Sequence, residues 1–229
     1  MQTNESRPSR RGVLIASLAA LLSAPARRPW AAGEPGDRLP PPGHFDYRVL
    51  RDGDEIGTHA MDFGQSGDRL TVDTHIAVEL TAIGITVFRF RHEAREVWVQ
   101  GGLQSLSSRT DDDGTERAVE LRAAGNTLHV TYNGKIREFP GPMLPASLWH
   151  PATVRQTVLF DGSRGKPRHV TVADRGEEIV PVGNDRIATH RYAIAGELTR
   201  EVWYGPDGHI VQVTFPTKDG STITVLRRA

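Results

Sequence analysis

The sequence predicts an all-β protein: a single large antiparallel β-meander forming a curved sheet, half-barrel or barrel. Three observations predict it. Apolar and polar residues alternate over long stretches, as they do on half-buried strands. Turn pairs such as Asp52-Gly53 and Asn133-Gly134 separate those stretches, and such pairs favour tight hairpins. No stretch of helical length shows a 3.6-residue repeat. About a dozen strands spaced roughly 8 to 12 residues apart follow from this pattern.

In order along the chain, residues 1–32 read as a secretory leader. Ser9-Arg10-Arg11-Gly12-Val13-Leu14-Ile15 opens an apolar run to Leu22, and Ser23-Ala24-Pro25-Ala26 offers a cleavage site, with Ala32 as a second. The paired arginines match a twin-arginine export signal, so the expected location is exported and periplasmic. The bland alternative is an ordinary secretory signal. Residues 33–43, with Pro35, Pro40, Pro41 and Pro42, read as a linker. Residues 44–229 form one all-β domain.

Strand character runs from Phe45 to Val49 and again from Ile56 to Phe63, across the Asp52-Gly53-Asp54 turn. Leu70, Val72, Thr74, Ile76, Val78 and Leu80 alternate without a break against polar neighbours. That strand is about eleven residues long where five or six are usual, which suits a curved wall. The next strand, Phe88 to Val99, is central. Phe88, Phe90, His92, Ala94, Glu96 and Trp98 share one face, and Arg89, Arg91 and Arg95 share the other. Gln100-Gly101-Gly102 turns the chain into Leu103–Thr110, which ends in the acidic turn Asp111-Asp112-Asp113-Gly114. Shorter strands follow at Arg117–Ala123, Leu128–Tyr132 and Lys135–Phe139.

Pro140, Pro142, Pro145 and Pro151 then bracket Met143, Leu144, Leu148 and Trp149. This loop cannot join a ladder and is too apolar to be simply solvated, so it is expected to cover a sheet edge or the mouth of the barrel. Strands resume at Val154–Phe160, His169–Ala173, Ile187–Ile194, Leu198–Tyr204, Ile210–Phe215 and Thr222–Leu226. Glu201-Val202-Trp203 echoes Glu96-Val97-Trp98, either by chance or as two similar sheet halves.

Composition narrows the function. The chain has 28 basic and 28 acidic residues. The leader takes five arginines against Glu5, which leaves 23 basic and 27 acidic residues in the rest, too little charge to imply nucleic acid or any other partner. Cysteine is absent, which excludes disulfides, thiolate metal sites and a lipoprotein-type acyl anchor. No segment after the leader is apolar enough to span a membrane as a helix.

Glu96-x-Trp98 leading into Gly102-Leu103, the Thr110-to-Gly114 turn, and Trp203-Tyr204 with Asp207-Gly208 resemble a family of exported bacterial proteins of unknown function. The resemblance covers about Tyr47 to Leu226. More distantly the chain resembles the half-barrels that carry lipoproteins between bacterial membranes. What this implies is location and architecture; the resemblance brings no established activity or catalytic residues. No cofactor is expected.

No serine elbow, phosphate loop or dinucleotide fingerprint occurs. Asp73-x-His75 lies on the polar face of its strand, where an exposed pair is the simpler reading than a metal site. Asp111 to Gly114 lacks a calcium loop's ligand spacing, so no metal is expected. Trp98, Trp149 and Trp203 are candidates to line an internal cavity, with the Pro-rich loop as lid, His92 as a polar anchor and Glu96 on the same face. The alternative is that these rings fill the core. The expected function is a binding or carrier protein for an apolar or amphiphilic small molecule or lipid. The alternatives are an exported hydrolase or isomerase using His92 and Glu96, or an envelope scaffold module.

Overall fold

The computed structural model describes residues 40–229. The expected leader and residues 33–39 of the expected linker lie outside the described residues.

Among the described residues fifteen strands follow one another: β1 (Gly43–Arg51), β2 (Asp54–Ser66), β3 (Arg69–Ala82), β4 (Ile85–Val99), β5 (Gly102–Asp112), β6 (Thr115–Ala124), β7 (Thr127–Tyr132) and β8 (Lys135–Pro140) form the first half. The second half holds β9 (Leu144–Pro145), β10 (Val158–Asp161), β11 (Lys166–Val182), β12 (Asp185–Gly196), β13 (Arg200–Tyr204), β14 (Ile210–Pro216) and β15 (Thr222–Arg227). All lie in one sheet, in the order β8 to β1, then β15 down to β9. The two halves are therefore each a meander, joined at the middle where β1 pairs antiparallel with β15. The sheet does not close by hydrogen bonds; β8 and β9 are its edges. One pair departs from the antiparallel expectation, since β9 runs parallel to β10.

Side chains bring the two ends of the rolled sheet together. Phe160 of β10 is fully buried among Leu106, Val119, Leu121, Leu128 and Val130 of β5 to β7. The Ser108 hydroxyl donates to the Gly162 carbonyl at 2.6 Å and ties the β10–β11 turn to β5. The main core holds Tyr47, Phe63, Val72, Trp98, Trp149 and Tyr204, contributed by both halves.

The Pro-rich segment differs from the expected lid. Leu148 and Trp149 are 4% and 1% exposed within the main core. The segment runs inside the rolled sheet as a plug, because its apolar side chains have the space between the two sheet ends to fill. A short 3-10 helix (Pro151–Arg155), capped by His150 accepting from the Ala152 N–H, interrupts the strand expected over Val154–Phe160. Strand β11 runs on well past the expected Ala173, its ladder shifting at Asp174–Gly176. That bulge turns Val180 and Val182 to the face opposite Val170.

Five hairpins use two-residue turns in which both residues have positive φ, the type I′ geometry that matches strand twist. Four begin with Asp52, Gln100, Asp113 or Asn133, polar residues at a position where Asn and Asp are favoured. The fifth, between β3 and β4, begins with Ile83 at φ 51°. A β-branched residue held there costs about 1–3 kcal/mol.

Gly57 of β2 has no room for a side chain, since an added Cβ would stand 2.1 Å from the Ala77 carbonyl oxygen on β3. Gly64, seven residues on in the same strand, has open space. Gly57→Ala is expected to lower unfolding free energy in urea by about 2–3 kcal/mol, and Gly64→Ala to change it little. Equal effects at the two positions would show that this close approach is not what holds β2 against β3.

Candidate functional site

The alternation that makes β3 and β4 strands also makes one wall of an internal cavity. Ile76, Val78, Leu80, Phe88 and Phe90 line it, and Ile223 and Phe215 face them from β15 and β14. The cavity measures about 960 Å³. It extends to the end of the sheet where the β1–β2, β3–β4 and β14–β15 turns lie, since Arg51, Leu80, Phe88 and Asp219 all border it. The opposite end is filled by packing: Phe45 and Phe63 meet edge to face at 5.8 Å, and the His209 ring lies 3.8 Å from Phe45, tilted by 35°.

Of the five residues singled out from sequence, His92 and Glu96 line this cavity. Trp98 and Trp149 lie beneath its floor, both 1% exposed and edge to face at 5.2 Å. The structure thus brings four of the five together, two on the wall and two under it. Trp203 is elsewhere. Val202 and Tyr204 point into the main core, so Trp203 between them points to the opposite face, with Val180, Val182 and Val211. There its indole donates to Glu178 at 3.0 Å and carries the Arg191 guanidinium 4.9 Å from its ring centre. The echo between Glu96-Val97-Trp98 and Glu201-Val202-Trp203 is therefore offset by one residue of pleat, which exchanges the two faces.

Glu96 is 2% exposed, and no cation pairs with it among the described residues. Its Oε2 accepts from the Trp98 indole at 3.0 Å and the Trp149 indole at 2.8 Å, and Ser147 is hydrogen-bonded to it as well. Burial pushes its carboxyl up, and these neutral donors offset the shift in part. His92 is pushed the other way by burial, and its Nδ1 lies 2.8 Å from the Thr110 hydroxyl.

Two further residues on the cavity wall escaped the sequence reading. His59, beside Tyr47 at 5.2 Å, has no partner for its Nε2 among the described residues, and burial pushes it down to about 4. Arg200 stacks on the Phe215 ring at 3.9 Å and donates to the Thr199 carbonyl. Burial pushes Arg200 down to about 10, which leaves it charged at neutral pH. Both were signalled by alternation, His59 with Met61 and Phe63, Arg200 with Val202 and Tyr204. Among the described residues no group of three or more His, Asp or Glu is placed to hold a metal ion.

The chain belongs to the family described as Domain of unknown function (DUF6134), whose model matches residues 47–228. Among solved structures it is similar to a beta-barrel-like protein of domain of unknown function DUF1849 from Brucella abortus. The two share 14% identity over 83% of this chain and 97% of that one, with a TM-score of 0.61. At that identity the likeness is one of fold. No curated protein matches the chain.

The buried histidines set an acid limit on stability. His59 and His150 are both pushed down to about 4 from 6.5, so as pH falls through that window the unfolded chain takes up protons that the folded one refuses. Their contribution is complete above 6.5 and is lost towards 4. Glu96 has the opposite sign: its stability contribution falls as pH rises from 4.5 through its raised folded value. His59→Phe is expected to shrink the loss of unfolding free energy between pH 7 and pH 4 by up to about 3 kcal/mol. An unchanged pH profile would mean that His59 takes up its proton in the folded protein.

Proposed function

We propose that this DUF6134 protein is an exported, periplasmic carrier that binds an apolar or amphiphilic molecule inside the rolled sheet and does no chemistry on it. The observation that carries this reading is the cavity itself: about 960 Å³, walled by Ile76, Val78, Phe88, Phe90 and Ile223. A volume of that size and an apolar lining with a few polar groups suit a small organic ligand. His92, Glu96 and Arg200 supply those polar groups on the wall.

The environment of His92 favours binding over catalysis. A general base must reach the group it deprotonates. The hydroxyl beside the His92 ring belongs to Thr110, itself 3% exposed, so it fixes the ring without presenting a nucleophile to the cavity. Glu96 is likewise committed to two indoles and Ser147.

Binding of N-phenyl-1-naphthylamine, a neutral apolar fluorophore, tests the reading. Ala94 lies on the cavity wall between His92 and Glu96. Ala94→Trp is expected to weaken the fluorophore by at least about tenfold while the variant keeps its β-sheet circular dichroism. A folded Ala94→Trp protein that binds as tightly as the wild type would sink the cavity as the binding site. Comparison of native and denatured masses of protein purified without detergent would identify any molecule already carried.

A further inference from the structure

Resting on the carrier reading, a second feature says which amphiphile fits. Beside the cavity mouth lies an open recess of about 500 Å³, lined by Tyr132, Arg137, Arg164, Lys166, Arg168 and Lys218. Five of its six lining residues are cationic and none is acidic. The recess and the apolar cavity share Arg164, Arg168 and Lys218, so the two spaces adjoin.

The carboxylates at this end are already engaged. Asp161 accepts from Arg168 at 2.8 Å and from the backbone and hydroxyl of Ser163 in its own turn. Asp219 is held by Arg51, Thr217 and Ser221. Glu197, on the cavity wall, accepts from the His169 N–H at 2.8 Å and keeps its charge, which Arg168 and Lys166 offset in part. Arg137, Arg164, Lys166 and Lys218 make no ion pair among the described residues, although Arg137 lies over the Tyr132 ring at 5.6 Å. Deeper in, the Arg200 guanidinium faces the same cavity over the Phe215 ring and donates to the Thr199 carbonyl, with Asp161 near enough to act on its charge. The recess thus holds cations in excess of the carboxylates beside it, and such an excess next to an apolar pocket attracts an anion whose remainder is apolar.

We infer that the ligand is an anionic amphiphile. Its apolar chain occupies the cavity, and a phosphate, sulfate or carboxylate head sits in the basic recess against Arg164, Lys218 and Arg168.

Three probes test this by titration below their critical micelle concentrations: dodecyl phosphate, dodecyl maltoside and inorganic phosphate. Dodecyl phosphate is expected to bind at least about tenfold more tightly than dodecyl maltoside. That preference should collapse towards unity in the double variant Arg164→Gln, Lys218→Gln. Equal affinity of the wild type for the two alkyl probes would overturn the anionic head and leave the carrier reading standing. Inorganic phosphate binding as tightly as dodecyl phosphate would make the recess a free-anion site and also overturn the inference. Binding of neither alkyl probe would remove the carrier reading, and this inference with it.

A separate observation concerns the β3–β4 hairpin. Residues 81–87 contain no charge, and Ile83, Ile85 and Val87 are 101%, 67% and 56% exposed. Ile83 also holds the left-handed backbone that the other type I′ turns give to Asp, Gln or Asn. The residue is thus unfavourable both to hydration and to its own backbone. The tip stands at the cavity-mouth end, continuous with Leu80 and Phe88 on the wall. The geometry points to a lipid surface as its partner, with the tip entering the interface beside the mouth. Cosedimentation with vesicles of phosphatidylethanolamine and phosphatidylglycerol is expected to fall about tenfold or more in Ile83→Asn. The same change should raise the melting temperature, because Asn tolerates that backbone. Wild-type protein that does not cosediment, or a variant that cosediments equally, would overturn the proposal. So would an Ile83→Asn change that converts a dimer to a monomer, since the tip's partner would then be a second copy.

Discussion

A single buried carboxyl holds the interior of this protein in place. Glu96 reaches from β4 to the indoles of Trp98 and Trp149, the first on its own strand and the second on the plug. From the other half of the sheet, the Tyr204 hydroxyl donates to the Leu148 carbonyl at 2.5 Å. The plug is therefore fastened to both meanders. An acceptor at Glu96 matters because two buried indole N–H groups would otherwise lose their partner, at about 1–3 kcal/mol each. That no cation pairs with it among the described residues matters too. A carboxyl surrounded by neutral donors can sit deep in the core without a second buried charge to desolvate.

Because the plug occupies one end of the rolled sheet, the other end stays open, and the cavity inherits a polarity. Its floor is aromatic and sealed, its walls are aliphatic and aromatic, and its rim is rich in arginine and lysine. The cavity thus runs from a mainly apolar depth, with His59, His92, Glu96 and Arg200 as polar groups on its wall, to a mouth where cations gather. The strands supply the walls by simple alternation. Two turns, with Arg164 and Lys218, and β8 and the start of β11, with Arg137, Lys166 and Arg168, supply the rim, where long side chains can keep their charged heads in water.

Alternation made the fold class and most strand positions legible in the sequence, and the face of β4 that carries His92, Glu96 and Trp98 could be read directly. Three things could not. Trp203 reads like the other tryptophans because a ring suggests an inward position, yet Val202 and Tyr204 fix the pleat of β13 and send it outward. The plug gave no periodic signal, since its burial depends on a gap between sheet ends that only tertiary structure defines. Arg164 and Lys218 sit in turns, where sequence pattern says nothing about which cations converge. Arg200 and His59 were readable in principle, through their apolar neighbours two residues away, but polar residues draw little attention in a search for a core.

The pairing of β1 with β15 has a consequence for how the molecule comes to exist. Tyr47 lies opposite Arg227, and Arg51 opposite Ile223, so the sheet's central seam joins residues about as far apart as the folded chain allows. Contacts of such long sequence separation slow folding, because loop closure must come before they reward it. During synthesis, β1 waits as an unpaired edge until the last strand has left the ribosome. An export route that accepts only folded chains would therefore be timed by this one seam, and any factor that shields β1 meanwhile would govern the yield of folded protein.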